Sequence, residues 1–442
     1  MPNTFGNPNN VDQSLNQTMR RFSVAALSIT LFAIPFGHLQ NAVFDGLTVA
    51  KLLIPLLFLI LAINLRNEFR IHPYLWCYVA FVVMTTPSLV MSANYPTILL
   101  SLSGYILLFQ VIYNGLNTMD SLKLIFTYYV IGLCSVSAAT ILALFTGVDL
   151  GQLIALPMID NWYGLPIFLG TSGNPNGFAT LFVVGVPLAW MLYLTADNTL
   201  IRVLSLFAMT VISFTLIMTF SRSATAAAVI ATVLLHHFYN HNSIFSYRFF
   251  AKMAITFIFL YWYFKFPYFT LMAVASGETD IATIVSDLFQ NRSRHIAANS
   301  VPANSIQANK AISGGYRLLV LEYQLSAFLS NPFFGMGYGN FSNYLNNAIG
   351  LKVGPHNVFS GIAIEYGALA LAFFIGLLAL GSHNIIRYIN KSPTKNSKMV
   401  AASVLAGLGG LLFHGLFHEI YINFTLWFFI ATAGVVHKLK VA

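Results

Sequence analysis

Runs of about twenty apolar residues recur along the 442-residue chain, separated by short polar stretches. A helix of that length crosses a hydrocarbon core of about 30 Å. About twelve such spans are predicted, near 22–37, 47–65, 73–91, 97–115, 122–146, 174–195, 199–219, 223–240, 248–269, 356–380, 399–416 and 420–437. The stretch before them, "MPNTFGNPNNVDQSLNQTMRR", is polar and Asn-rich. It does not read as a cleavable signal, so the first span is expected to be retained.

One long polar interval interrupts the rhythm. It divides the chain into spans 1–9 (residues 1–269), a large loop (270–355) and spans 10–12 (356–442). The middle of the loop, "NRSRHIAANSVPANSIQANKAISGG", has the composition of a flexible segment. Periodicity returns in "GGYRLLVLEYQLSAFLSNP", where Leu318, Leu321, Leu325 and Phe328 recur at 3-4-3 spacing. That stripe predicts an amphipathic helix lying on the membrane or across the bundle. Gly314 and Gly315 precede it and Asn331-Pro332 ends it.

Composition agrees with a bilayer as solvent: 57% of residues are hydrophobic, 15% aromatic and 8% charged, against about 25% charged in a soluble domain. The expected fold class is an all-α polytopic membrane protein. Charge then gives sidedness. Arg20, Arg21, Arg66, Arg70, Lys123, Arg202, Arg248, Arg387, Lys391, Lys395, Lys398, Lys438 and Lys440 fall in alternate connections. The positive-inside rule makes that face cytoplasmic, with both termini inside and the large loop outside. The net charge of +9 is thereby used for orientation, and no Lys/Arg cluster suggests nucleic acid. Cys77 and Cys134 both lie inside predicted spans and read as small buried side chains.

The candidate chemistry sits on the outer face. Arg222 lies in "TFSRSAT", a turn between two apolar spans, where an arginine is costly unless paired. It either snorkels to lipid phosphates or meets an anion, with Ser221, Ser223 and Thr225 as further donors. Arg317 falls in the first turn of the amphipathic helix, where a cation opposes the helix dipole. Either it pairs with a residue such as Glu322, or the Gly-flanked N-terminus forms an anion cradle. His356 precedes Asn357 at the start of the tenth span; it is a helix-end residue or a base that titrates near neutrality. Two arginines and one such base on one face are the parts needed for attack by a hydroxyl on a phosphate-activated carbon.

Lesser candidates accompany them. Asn174 and Asn176 bracket Pro175 and either bind a sugar or phosphate or cap a helix. Lys51 either faces the same site or snorkels. His414 and His418 stand at i, i+4 before Glu419, but the HExxH order of a metal motif is absent, and no metal site or cofactor is expected.

"TFSRSAT", "GNPNGFA", "YRLLVLEYQLSAFLSNPFFGMGYGNF" and "GPHNVFSGIAIEYGALAL" together resemble the O-antigen ligase and polymerase superfamily over about residues 170 to 370. The resemblance implies a GT-C type membrane glycosyltransferase with a large periplasmic loop containing amphipathic helices. It implies a donor glycan on undecaprenyl diphosphate at the periplasmic face of a bacterial inner membrane. The acceptor is a lipid A-core sugar in ligases, another repeat unit in polymerases, and a protein Ser or Thr in the related oligosaccharyltransferases. Arg222 and Arg317 take the places of the family's diphosphate-binding arginines and His356 that of its catalytic histidine. Lys51, Asn174, Asn176, Ser221 and Asn357 would support them. Polymerases more often show two sizeable outer loops; the single large one here points to a ligase. A reading of another class, a lipid-linked glycan transporter, usually involves repeats and broken helices with polar groups at mid-membrane.

Overall fold

In a computed structural model the described residues are 8–36, 49–65, 68–90, 95–146, 158–160, 166–168, 175–240, 255, 313–350, 353–392, 394–420 and 423–439. The helices are α1 (Pro8–Ala33), α2 (Val49–Asn64), α3 (Leu75–Val90), α4 (Tyr95–Gly115), α5 (Met119–Thr146), α6 (Pro175–Leu194), α7 (Thr199–Met218) and α8 (Arg222–Asn240). After them come α9 (Ser313–Ser330), α10 (Asn340–Ile349), α11 (Val358–Lys391), α12 (Lys395–Gly415) and α13 (Phe424–Val435). Among the described residues, seven helices are long and apolar enough to cross a membrane; Val49–Asn64, Leu75–Ser88 and Phe424–Lys438 are shorter apolar helices. The predicted span at 248–269 lies outside the described residues, so the count of twelve rests on the sequence.

Two helices extend beyond the predicted spans. Helix α1 begins at Pro8, ahead of the span predicted near 22–37: polarity sets where a helix leaves the hydrocarbon, not where it ends, and proline suits a first helical position. Helix α11 runs 34 residues, beyond the predicted 380, and breaks at Gly367, whose φ of 89° and ψ of 171° are non-helical. The fold is all-α as expected; one short antiparallel pair, β1 (Met158–Asp160) with β2 (Pro166–Phe168), lies in the connection before α6.

Small residues set the packing. Buried Ala224, Ala227, Ala228 and Ala231 line α8, and a Cβ on Gly410 of α12 would lie 3.0 Å from Ala231 and from Val183. Backbones of α6, α8 and α12 therefore approach closely, as membrane helices do where small residues face each other. On the other side of the bundle Trp427 of α13 is buried among Tyr78 at 4.8 Å, Phe81 at 5.4 Å, Tyr105 at 5.8 Å and Phe374 at 5.9 Å. One aromatic cluster thus joins α3, α4, α11 and α13.

The predicted alternation of connections is visible at one end of the bundle. There Arg20 pairs with Glu68 at 2.8 Å, and Asn114 exchanges two hydrogen bonds with the Arg70 backbone. Lys123 donates to the Thr195 carbonyl at 2.9 Å, Lys395 sits 3.6 Å over the Tyr239 ring, and Lys438 donates to the Tyr113 carbonyl. Among the described residues these basic connections are neighbours in space.

Candidate functional site

The opposite end gathers the first residues of α6, α8 and α11 and the connection between α12 and α13. Its central joint is His414, buried in the last turn of α12. Ser223 Oγ lies 3.0 Å from its Nδ1 and Thr180 Oγ1 lies 3.1 Å from its Nε2. The Thr180 hydroxyl donates its single proton to the Asn176 carbonyl at 2.9 Å, so by donor accounting Nε2–H is the donor to Thr180 and Nδ1 accepts from Ser223. One imidazole therefore bolts the "TFSRSAT" helix to the "GNPNGFA" helix. Both its nitrogens are engaged, which leaves neither for a metal; the ring packs 4.7 Å from that of His418.

The same connection holds the "GPHN" turn. Asn357 Nδ2 donates to the Leu416 carbonyl at 3.1 Å, while its Oδ1 accepts from the backbone N–H groups of Phe359 at 2.8 Å and Ser360 at 3.2 Å. Asn357 is thus the N-cap of α11. This relieves His356 of the capping role that the sequence left open. His356 is exposed and its backbone takes φ of 50°, a left-handed conformation uncommon for a residue with a Cβ. Its backbone N–H donates to Glu419 Oε1 at 3.3 Å. A Cβ on Gly354 would collide with the same carboxylate, so glycine at 354 gives the Glu419 side chain room in this position. Surrounding protein raises the Glu419 carboxyl above its usual range, and the His356 N–H opposes that rise.

Helix α9 docks on this turn. Gln324, buried, donates from its amide to the Pro355 carbonyl. Val320, Ala327, Phe341, Leu345 and Ile364 form a second small core that unites α9 and α10 with the first half of α11. The turn after α9 completes the joint. Met336 and Gly337 donate backbone N–H groups to the Ile364 and Glu365 carbonyls at 2.8 and 3.0 Å, and Ala368 donates to the Pro332 carbonyl at 2.8 Å. Those carbonyls are free to accept because the helix breaks at Gly367. Buried Glu365 takes the Gly339 N–H at 3.0 Å. Tyr338, in the same turn, is pushed up to about 12 by burial and then by Glu365 and Glu419. The apolar stripe of α9 faces outward at Leu321 (57% exposed), Leu325 and Leu329, while Phe328 turns inward onto the second core. The outward face suits a lipid surface.

Arg222, the first residue of α8, is exposed. The turn before it carries a second left-handed non-glycine residue, Phe220, with φ of 52°. The three hydroxyls expected around the guanidinium do not all serve it. Ser223 is committed to His414, and Thr225 donates back to the Ser221 carbonyl at 3.1 Å. Ser221 Oγ is buried without a hydrogen-bond partner among the described residues, a cost that a bound acceptor would remove. Arg317 is placed in α9 seven residues before Gln324, two turns or about 10 Å along the helix; its side chain lies outside the described residues. So does Asn174. Asn176 is half-buried in the first turn of α6. Lys51 is exposed in the first turn of α2, whose main packing partners are α1 and α4, so the structure does not bring it to this cluster.

Sequence reasoning missed Gln324, Glu419 and the structural part played by His414. The signal for Glu419 was its position beside a histidine pair at a predicted outer turn. Nothing in the sequence marks Gln324.

Fold and site together define a multi-pass helical membrane protein whose polar motifs converge at one end of the bundle. Residues 206–375, from within α7 to the first half of α11, match the family described as O-antigen ligase, in agreement with the resemblance to the O-antigen ligase and polymerase superfamily. The matched segment contains Arg222, Arg317 and His356; Asn176, His414 and Glu419 lie outside it. A search of curated proteins gave no match.

Proposed function

We propose that the protein is a lipopolysaccharide O-antigen ligase that moves O-polysaccharide from undecaprenyl diphosphate to a lipid A-core sugar. In this reading the end that carries His356 faces the periplasm and the basic end, with both termini, faces the cytoplasm of a bacterial inner membrane. The observation that carries it is the convergence of four distant motifs on one surface: His414 joins "TFSRSAT" to "GNPNGFA", and the α12–α13 connection and Gln324 hold the turn with His356 between them.

The chemistry follows from the residues. Expelling a diphosphate from an anomeric carbon builds negative charge on the departing oxygen. Arg222 and Arg317 stabilise that charge, and the buried Ser221 hydroxyl supplies one more donor. The His356 imidazole takes the proton of the acceptor hydroxyl as it attacks from the opposite side, which inverts the carbon. Fixed guanidinium groups take the place of a divalent metal, so transfer is metal-independent. Asn357 and Glu419 fix the backbone of the base and leave its ring exposed for the acceptor.

A deletion strain separates the ligase from its relatives. A ligase defect leaves full-length polymer on undecaprenyl diphosphate and an uncapped core. A core that bears a single repeat unit instead would make the protein a polymerase. Flipping of a labelled lipid-linked glycan without bond transfer would make it a transporter.

A further inference from the structure

The basic end of the bundle holds a cavity of about 470 Å³ between α1 and α5. That is within the range of small-ligand sites. Its walls divide by chemistry. Arg20, Arg21, Gln17, Asn117, Thr118 and Ser121 line the polar end; Val24, Ala25, Ile29, Leu124 and Tyr128 line the rest, with Ser28, whose hydroxyl is turned back onto the Val24 carbonyl. Ile29 is 54% exposed and Leu124 45%, so the apolar wall opens on the surface that faces hydrocarbon. A polar pocket that continues into an open apolar groove has the profile of a phospholipid: a head group at the helix ends and an acyl chain along them.

Charge selects the head group. Arg20 gives one guanidinium nitrogen to Glu68 at 2.8 Å, yet its Nε is buried without a hydrogen-bond partner among the described residues. A buried guanidinium N–H without an acceptor is costly. Arg21 is exposed and makes no ion pair among the described residues. Lys438 lies within electrostatic reach of Arg20 and Arg70, so among the described residues the four cations Arg20, Arg21, Arg70 and Lys438 outnumber the two carboxylates around the pocket, Glu68 and Asp120 in the first turn of α5. Arginines that merely snorkel need no cavity; here a preformed cavity, an orphan donor and an apolar groove coincide. We infer that this is a binding site for one anionic phospholipid, its phosphate on Arg20 and Arg21 and one chain against Ile29 and Leu124. The site lies at the end of the bundle opposite His356 and is independent of the transfer reaction.

Native mass spectrometry of the full-length protein tests it, after exchange into mixed phosphatidylglycerol and phosphatidylcholine. The wild type retains one phosphatidylglycerol in preference to phosphatidylcholine. The double variant Arg20→Gln, Arg21→Gln loses that preference by on the order of 10-fold, from the removal of two charges near a head group. Because Arg20 also pairs with Glu68, a second variant guards against a folding defect. Asn117→Asp is nearly isosteric, places a carboxylate near the N-terminus of α5 where the helix dipole favours it, and lowers phosphatidylglycerol retention about 5-fold by like-charge repulsion. Inorganic phosphate does not compete. Equal retention of the two lipids by the wild type, retention unchanged in both variants, or competition by inorganic phosphate as effective as by the lipid would each overturn the assignment.

Discussion

At the basic end, Asn114, Lys123 and Lys438 each meet a backbone group of a neighbouring segment, and His72 is buried between the Ala431 carbonyl and the Tyr74 N–H. At the other end buried His414 and Gln324 and half-buried Asn357 do similar work, but what they hold in place is exposed: Arg222, His356 and the outward face of α9. At the first end these groups close the bundle. At the second they present a cation and a titratable ring at the surface, with two non-glycine residues in left-handed backbone to do it. Polar burial alone therefore does not mark a site; polar burial that supports exposed, conformationally constrained charge does.

Substitutions at the two ends should separate activity from stability. Replacement of Arg222 or Arg317 by Ala should lower transfer by about 100- to 1000-fold, the loss expected from removing one charge stabiliser, with membrane insertion and thermal stability unchanged in detergent-solubilised protein. A drop in Tm that parallels the loss of transfer would make these residues structural. Glu419→Ala should cost about 10- to 100-fold in transfer, by loss of a hydrogen bond to a charged acceptor at 3.3 Å from the His356 backbone. Glu419→Gln retains an oxygen acceptor and should retain most activity.

The basic end should behave in reverse. Asn114→Ala removes the paired hydrogen bonds with Arg70; unfolding measurements should show about 1–3 kcal/mol lost, while turnover per folded molecule stays the same. His72 supplies a pH signature. Burial pushes its pKa down to about 3 from 6.5, with Lys438 and His437 adding to the fall and the Ala431 hydrogen bond opposing it. A depressed histidine contributes stability that is complete above about pH 6.5 and is lost as pH falls toward 3, by up to about 1.4 kcal/mol per unit. The wild-type Tm should therefore fall between pH 7 and pH 5. In His72→Gln that slope should be shallower, a small effect that a Tm series would resolve.

The spans were legible in the sequence because hydrocarbon thickness fixes the length of an apolar run, and eleven predicted spans have a described helix in the same place. The ends were less legible. Nothing in water stops α1 at residue 22, and the break at Gly367 depends on Phe333, whose carbonyl a Cβ at 367 would strike. Arg222 and His356 stood out because charge next to apolar spans is costly. Their supports did not stand out, because Gln324 with Pro355, His356 with Glu419, and Thr180 with His414 are joined across 31 to 234 residues of sequence. Such pairs are set by tertiary packing, which no local pattern encodes.

The most direct test of the proposed catalytic end is transfer by purified, reconstituted protein from an undecaprenyl diphosphate-linked glycan to lipid A-core in the presence of a chelator. Wild type should transfer, and His356→Ala, folded and inserted normally, should not. Transfer by His356→Ala at the wild-type rate would contradict the account.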